Sequence, residues 1–434
     1  MKQLLPGATI GVLGGGQLGR MMAVAARQMG YRIVVLDPSP RCPTAQVSDG
    51  VVVGGLDDLD AARLLARQVE VITLDTEHVP AELLAELEAI VPVRPGASVL
   101  RTIQDRLVQK QFLDGIGLPQ ARWAPAGDPA ELEAALERIG RPAILKVRRA
   151  GYDGKGQVRI DASGGSASGG GDPVGAGTRP GPAGVGPVGA DFPAAAAGAA
   201  AGPAAAAGAA AEPAAAAAAA ASAALARIHG QPAVVEEVVP FQREISVVLA
   251  RGLDGSHRIY PIAENVHRRH ILHTTRAPAP MGEAQRRRAE EIAISVADAL
   301  GHVGVMAVEM FELADGRLLV NEIAPRTHNS GHYTYGACAT SQFEQHVRAI
   351  CGLALGDPRP LSGAVMLNLI GDLWSQGPPR WQHVLAHPGA RLHLYGKDAP
   401  APGRKMGHVV LLDDDTDRAL ADADALIAAL AAPT

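Results

Sequence analysis

This sequence predicts an α/β protein built from three successive units: a doubly wound parallel sheet over residues 1–100, a central α+β unit over 101–355 and a small β-rich unit over 356–434. Three observations carry that prediction. Residues 8–100 alternate short apolar strands with helical segments, the rhythm of a parallel sheet with helical crossovers. A glycine-rich turn, Gly151-Tyr152-Asp153-Gly154-Lys155-Gly156-Gln157, follows an apolar strand that ends near Lys146. Two apolar runs flank Ala314-Asp315-Gly316-Arg317, and Asp-Gly between such runs is the strongest short hairpin signal.

Taken in order, strands are expected over 8–13, 32–36, 50–53 and 70–74, with helices over about 17–29 and 61–67. From Ile103 a helix carries Asp105-Arg106-Leu-Val-Gln-Lys110 and stops at Gly115 and Gly117. A strand near Arg122, a helix over 128–139 and a strand over 142–147 lead into the glycine-rich turn. Strands over 233–239 and 244–250, a helix over 283–300 and the hairpin complete the central unit. The C-terminal unit begins after Gly356-Asp-Pro and ends in a helix over 416–430.

Residues 163–224 do not fit this rhythm. The tract is almost entirely Gly, Ala and Pro, so its first half cannot bury enough apolar surface to offset ordering and is expected to be disordered. Prolines and glycines chop the alanine half, leaving only Pro213 to Arg227 long enough for a helix. The tract reads as an insertion in a surface loop.

The formal charge of −5 is spread along the chain without basic clustering, which argues against nucleic acid as a partner. Cys42, Cys338 and Cys351 show no paired spacing and suit reduced thiols in the cytoplasm. The opening Met-Lys-Gln-Leu-Leu-Pro-Gly is too short and polar for a signal peptide, and outside the alanine tract no uninterrupted apolar stretch reaches membrane length.

The chemistry concentrates in the hairpin. A two-residue Asp315-Gly316 turn sets Ala314 opposite Arg317 and, counting outward, Glu309 opposite Glu322. Two opposed carboxylates in apolar strands need a counter-charge, and a hard divalent cation, most simply Mg2+ carrying nucleotide phosphates, provides it. A solvent-facing edge hairpin with merely repelling glutamates is the plain alternative. Lys146 presents an ammonium at a strand end beside Arg148, Arg149 and the Gly151–Gln157 turn, a combination suited to phosphates. Val234-Val-Glu236-Glu237-Val238-Val239 reads as an apolar strand exposing acids at its end.

The loop Gly14-Gly15-Gly16-Gln17-Leu18-Gly19 satisfies G-x-G-x-x-G, and Asp37 ends the next strand at the distance of a ribose-binding acid. Alone, this Rossmann-like arrangement says NAD-dependent dehydrogenase. Helix N-terminal N–H groups bind any phosphate, however, and a dehydrogenase needs neither the second glycine turn nor the paired glutamates. His267, His270 and His273 form H-x2-H-x2-H, but that spacing drifts off one helical face and no cysteine is near, so zinc is not expected.

The paired glutamates resemble those of ATP-grasp enzymes. The run Asn321-Glu322-Ile-Ala-Pro-Arg326-Thr-His328-Asn329-Ser330-Gly-His332, with Gly-Tyr-Asp-Gly-Lys-Gly-Gln, is similar to the N5-carboxyaminoimidazole ribonucleotide synthetases of purine biosynthesis. The resemblance spans about 8–161 and 227–412 and implies a central ATP-grasp fold and a ligase that uses ATP and Mg2+. Its substrates would be 5-aminoimidazole ribonucleotide and bicarbonate, and its assembly a homodimer. It implies ATP contacts at Arg106, Lys146, Gly151, Tyr152, Asp153, Gly154, Lys155, Gly156, Gln157, Glu236, Glu237, Val238, Val239, Glu244 (ribose), His267, Asn321 and Glu322. Glu309 and Glu322 would hold the metal. Substrate would meet Gln17, Leu18, Glu77, Arg326, His328, Asn329, Ser330, Lys397, Arg404 and Lys405, with Tyr152, Asp153, Lys155, Arg326 and His328 nearest the chemistry. Two positions depart from the family: Asp75 stands where a glutamate is usual, and Ala401 where an arginine is. The formate-dependent glycinamide ribonucleotide transformylase is the nearest alternative within the superfamily; the Tyr152-Asp153 turn and the Arg326–Ser330 run argue against it.

Overall fold

The computed structural model describes residues 3–149, 151, 156–161, 166–167 and 219–431. The four N-terminal strands, Thr9–Leu13, Arg32–Asp37, Gly50–Val53 and Val71–Leu74, pair in parallel in the spatial order third, second, first, fourth. Thr9–Leu13 is buried at every position, as a strand covered on both faces must be. Helices Leu59–Ala66 and Ala81–Glu88 supply the core on one face. Gln17–Gln28 supplies the other together with the distant helix Gln342–Ile350, whose Phe343, Val347 and Ile350 share a core with Met22 and Ile33.

The central unit contains two sheets. Strands Trp123–Ala126, Ala233–Glu237, Ala143–Val147, Gln157–Ile160 and Ser166–Ala167 lie side by side and antiparallel. Helix Pro129–Ile139 and a helix over 219–227 pack on them, so that Leu132, Leu136, Ala221, Ala224 and Leu225 share a core with Leu145 and Val235. The expected boundaries of the insertion therefore need correction. Ser166–Ala167 continues the sheet, and Ala221 and Ala224 are 2% and 0% exposed. An alanine helix that packs by its methyl groups has the same composition as an alanine linker, which is why the tract looked uniform. Residues 162–165 and 168–218 lie outside the described residues, and the expectation of disorder there lies with them.

The second sheet has nine strands and runs from the hairpin, Leu318–Ala324 and Gly304–Leu313, through Phe241–Arg251, Ala263–Arg268 and Ile271–Ala277 to Ala364–Ile370, Lys405–Leu412 and Ala390–Leu394. His257–Ile259 pairs with Phe241–Arg251 at one side. The C-terminal strands thus extend the central sheet directly, through the pairing of Ile271–Ala277 with Ala364–Ile370.

Glu309 does face Glu322. The path to that pairing is not the expected one. The turn holds three residues, with the Leu313 N–H bonded to the Arg317 carbonyl and Gly316 at φ +81°. Near the turn Met310 therefore faces Val320, one step off the two-residue register. A bulge between Glu309 and Met310, where Asn321 is the extra residue, restores the register at the glutamates. Two one-residue departures cancel.

Candidate active site

The bulge sets two consecutive polar residues, Asn321 and Glu322, at half-buried positions of a strand whose neighbours Val320 and Ile323 are 1% exposed. Opposite them the Glu309 side chain is 22% exposed, with its Oε1 3.2 Å from His328 Nε2. Burial and then the facing Glu322 push the Glu309 carboxyl up, to about 7. Arg106 reaches Glu322 at 3.8 Å. Among the described residues no three His, Cys, Asp or Glu side chains gather as a metal cage. Two opposed carboxylates beside open space suit a cation that brings other oxygen ligands with it.

Behind this pair sits a basic cluster that corrects the reading of Glu236. Instead of exposing an acid at a strand end, the fold buries Glu236 to 3% exposure. Its carboxylate takes Lys146 Nζ at 3.0 Å and Lys110 Nζ at 3.4 Å, with Arg106 at 4.0 Å. Burial would raise its pKa, but Lys146, Lys110 and Arg106 hold it at about 2. Lys110 is wholly buried, and its own pKa is lowered, by desolvation first. Sequence reasoning passed over Lys110, although it lies one helical turn after Arg106, close enough in phase to share its face. It also passed over Asp105, which caps the helix Arg106–Gly115 and takes two bonds from Arg148, at 2.9 and 2.7 Å, and one from Arg149 at 3.4 Å. Glu237 turns away to Arg122 at 2.7 Å, so only its backbone faces the cluster. Arg106, Arg148, Arg149, Gly151, Glu77 and Glu322 line one cleft of about 280 Å3.

Two carboxylates brace the first glycine loop. Asp37 is not a free acid: its carboxylate accepts the Gly15 N–H at 2.8 Å. Asp75 accepts from Gly16 at 3.0 Å and Gly19 at 2.5 Å. The family departure at Asp75 thus keeps a carboxylate on the loop, with its pKa raised by burial against these bonds and the nearby Arg326. Leu18 is 6% exposed and belongs to the core, leaving only its backbone to meet a ligand. Gln17 is half-buried at the first position of its helix. Glu77 grips Arg326 through both carboxylate oxygens, one at 3.0 Å from Nη2 and the other on Nε. Burial opposes it, but Arg326 brings the Glu77 carboxyl down to about 2.

His328 and Arg326 are brought together as expected, and burial, then Arg326 and Lys405, lower the His328 pKa to about 3. Asn329 is 8% exposed, and neither its amide oxygen nor its amide nitrogen has a partner among the described residues. Ser330, expected to meet substrate, instead turns inward: it is wholly buried with its hydroxyl on Ser246 and His328. Glu244 holds His267 through Nδ1, and this bond raises the histidine's pKa against the opposing effect of burial. His270 contacts Gln157 at 3.3 Å. Lys397 donates to the Lys405 carbonyl at 2.7 Å and Arg404 to the Ala399 carbonyl at 2.7 Å. The Lys397 charge acts on Asp75, and that of Lys405 on Glu309 and His328. Val238 is half-buried and Val239 is 7% exposed, packed against Ala121 and Leu313. Gly151, Gly156 and Gln157 are described; Tyr152, Asp153, Gly154 and Lys155 lie outside the described residues.

Comparison with known proteins follows the same division of the chain. A ribonucleotide synthetase preATP-grasp domain matches residues 7–104, an ATP-grasp domain matches 111–168 and 210–343, and a phosphoribosylaminoimidazole carboxylase C-terminal domain matches 364–422. The N5-carboxyaminoimidazole ribonucleotide synthase of Brucella melitensis is 40% identical over 413 residues, covering 95% of this chain and 98% of its own. That of Bacillus subtilis is 36% identical over 420 residues, covering 96% and 94%. The Aspergillus clavatus N5-carboxyaminoimidazole synthase, solved with ADP and 5-aminoimidazole ribonucleotide, superposes with a TM-score of 0.80 at 29% identity, covering 98% of this chain and 99% of that one. Alignment of this extent and identity leaves one conclusion: the chain belongs to the family of N5-carboxyaminoimidazole ribonucleotide synthases.

Proposed function

We propose that this protein joins bicarbonate to the amine of 5-aminoimidazole ribonucleotide at the expense of ATP, giving N5-carboxyaminoimidazole ribonucleotide, ADP and phosphate in purine biosynthesis. The observation that carries the reading is a convergence. The opposed Glu309–Glu322 pair, the Arg106–Lys110–Lys146 cluster and the Arg326–Asn329 run border one region, in a chain whose relatives bear that name.

Bicarbonate is a poor electrophile. Transfer of the γ-phosphoryl of ATP to a bicarbonate oxygen makes carboxyphosphate and ADP. Loss of phosphate then frees carbon dioxide beside the amine, whose nitrogen forms the new bond and gives up a proton. The protein's part in such a reaction is mainly positioning and electrostatics. Lys146 and the Gly151–Gln157 turn hold the β and γ phosphates. The backbone of Glu236–Val239 takes adenine, while Glu244, His267 and Asn321 border the ribose and phosphates. Glu309 and Glu322 would hold Mg2+, which when bound neutralises charge on the transferred phosphoryl. Arg326, oriented by Glu77, and His328 border the bicarbonate, and the unpartnered amide of Asn329 offers a donor and an acceptor to the imidazole end. Lys397, Arg404 and Lys405 face the substrate phosphate, with the first-turn N–H groups of Gln17 and Leu18 as the loop donors that Asp37 and Asp75 leave over.

Phosphate release by the purified protein tests this directly. Full rate should require bicarbonate and aminoimidazole ribonucleotide together. Equal stimulation by glycinamide ribonucleotide with formate would move the assignment to the transformylase, and hydride transfer to NAD would remove ATP-grasp chemistry from it altogether.

A further inference from the structure

A buried line of polar side chains crosses the large sheet beside the carboxylate pair, Ser246 facing Glu309 in the ladder. The Thr275 hydroxyl donates to the Asn265 amide oxygen at 2.9 Å, and the Asn265 amide nitrogen donates to Ser246 Oγ at 3.0 Å. The Ser246 hydroxyl donates to Ser330 Oγ at 2.7 Å, and Ser330 Oγ lies 2.8 Å from His328 Nδ1. Thr275, Ser246 and Ser330 are wholly buried and Asn265 is 6% exposed. Ser246 sits between the aliphatic Ile245 and Val247 on a strand where an alanine or valine would pack without needing partners.

The two ends of the imidazole decide its tautomer. A hydroxyl oxygen accepts as readily as it donates, so the Ser330 hydroxyl follows the imidazole; the donor of fixed direction is the Ser330 backbone N–H. It points at Nδ1, at 3.3 Å. A ring nitrogen that accepts this N–H carries no proton of its own, and the Ser330 hydroxyl is then left to donate to it as well. The ring proton therefore resides on Nε2, which faces Glu309 Oε1 at 3.2 Å. The other tautomer would set a lone pair against that carboxylate and a proton against the Ser330 N–H.

We propose that Ser246, Asn265 and Thr275 are positioning residues of this active site: through Ser330 they hold His328 as the Nε2–H tautomer, so that its ring donates to Glu309 and presents that carboxylate to Glu322 in one orientation. The inference rests on reading the glutamate pair as the metal-holding pair. Its structural half can be tested without substrate or metal. Histidine-15N-labelled protein, with the His328 signals identified by their loss in His328→Gln, should show Nε2 protonated and Nδ1 bare. A protonated Nδ1, or rapid exchange between tautomers, overturns the proposal.

Its functional half is tested with Thr275→Val, which is nearly isosteric, and Ser246→Ala. Both should lower kcat about 10-fold and raise the Mg2+ concentration needed for half-maximal rate several-fold, while KM for ATP stays within about twofold, the pattern of lost support behind a metal ligand. Unchanged kcat and Mg2+ requirement in both variants overturn the relay even where the tautomer is as expected. The tautomer measurement on the unaltered protein still decides the matter if either variant fails to fold. Failure of the metal reading itself would show separately, as a Mg2+ requirement indifferent to Glu322→Gln.

Discussion

Glu236 and Glu309 are two glutamates of one site, and the fold treats them in opposite ways. Glu236 is enclosed by Lys146, Lys110 and Arg106, and its carboxyl is held at about 2. Glu309 faces another carboxylate across the hairpin, and its carboxyl is pushed up to about 7. The first is a buried acid whose own charge is answered by three cations of the protein. The second meets a like charge, an arrangement that a cation from outside would relieve. Burial alone does not separate a structural acid from a ligand-binding one; the sign of the neighbouring charge does.

The comparison breaks if the two glutamates respond alike to loss of charge. Glu322→Gln should give the largest effect, a fall in turnover of roughly 1000-fold or more, about 4 kcal/mol of barrier. Its fold should be retained, and without Mg2+ its thermal midpoint should equal or exceed that of the wild type because carboxylate repulsion is gone. Near-normal turnover at ordinary Mg2+ concentrations would remove Glu322 from the site.

Glu236→Gln should do the reverse and act on stability. Removing the Glu236 charge takes away the buried carboxylate that Lys110 and Lys146 share, at a cost of about 3 kcal/mol in urea unfolding. The pH dependence sharpens the point. The folded carboxyl sits at about 2 against 4.5 for an ordinary glutamate, so folding favours its ionised form. That contribution is present in full above pH 4.5 and is lost as the pH falls toward 2. The stability gap between wild type and Glu236→Gln should therefore be constant at neutral pH and shrink between pH 4.5 and pH 2. A gap that is absent at neutral pH, or that widens in acid, would mean that the cluster does not stabilise the fold.

The same contrast explains what the sequence disclosed. The parallel sheet was legible because strand and helix periodicities are local, and each of its four strands falls within a residue or so of its expected place. The fate of Glu236 was not, because the cations that enclose it come from a helix and a strand well before it in the chain. The bonds of Asp37 and Asp75 were not legible for the same reason: a carboxylate that bonds a glycine loop 22 or 59 residues away looks free in one dimension. The Glu309–Glu322 pairing was reached by a register argument that fails near the turn and is rescued by the bulge at Asn321. Asp-Gly signals a hairpin reliably, but it does not separate a two-residue turn from a three-residue turn with glycine in the left-handed region.

The alanine tract shows where composition stops being a guide, and it yields the smallest expected effect. The ATP-grasp match leaves out residues 169–209, and these contain the Gly/Pro run without an apolar periodicity that could pack. Deleting 169–209 and keeping the chain on either side should leave turnover within about threefold and change stability by roughly 1 kcal/mol, since loop-closure entropy varies only with the logarithm of length. Deleting the whole of 163–224, which composition alone would suggest, is a different experiment. It removes the Ser166–Ala167 pairing and takes Ala221 and Ala224 out of the core they share with Leu132 and Val235. That variant should lose several kcal/mol or fail to fold, because cavity formation and loss of a packed helix face act together. Equal behaviour of the two deletions in urea unfolding would show that the helix over 219–227 contributes nothing to the core. Lost catalysis in the shorter deletion with its fold preserved would show that residues 169–209 act on the Gly151–Gln157 turn, and the tract would then belong to the active site.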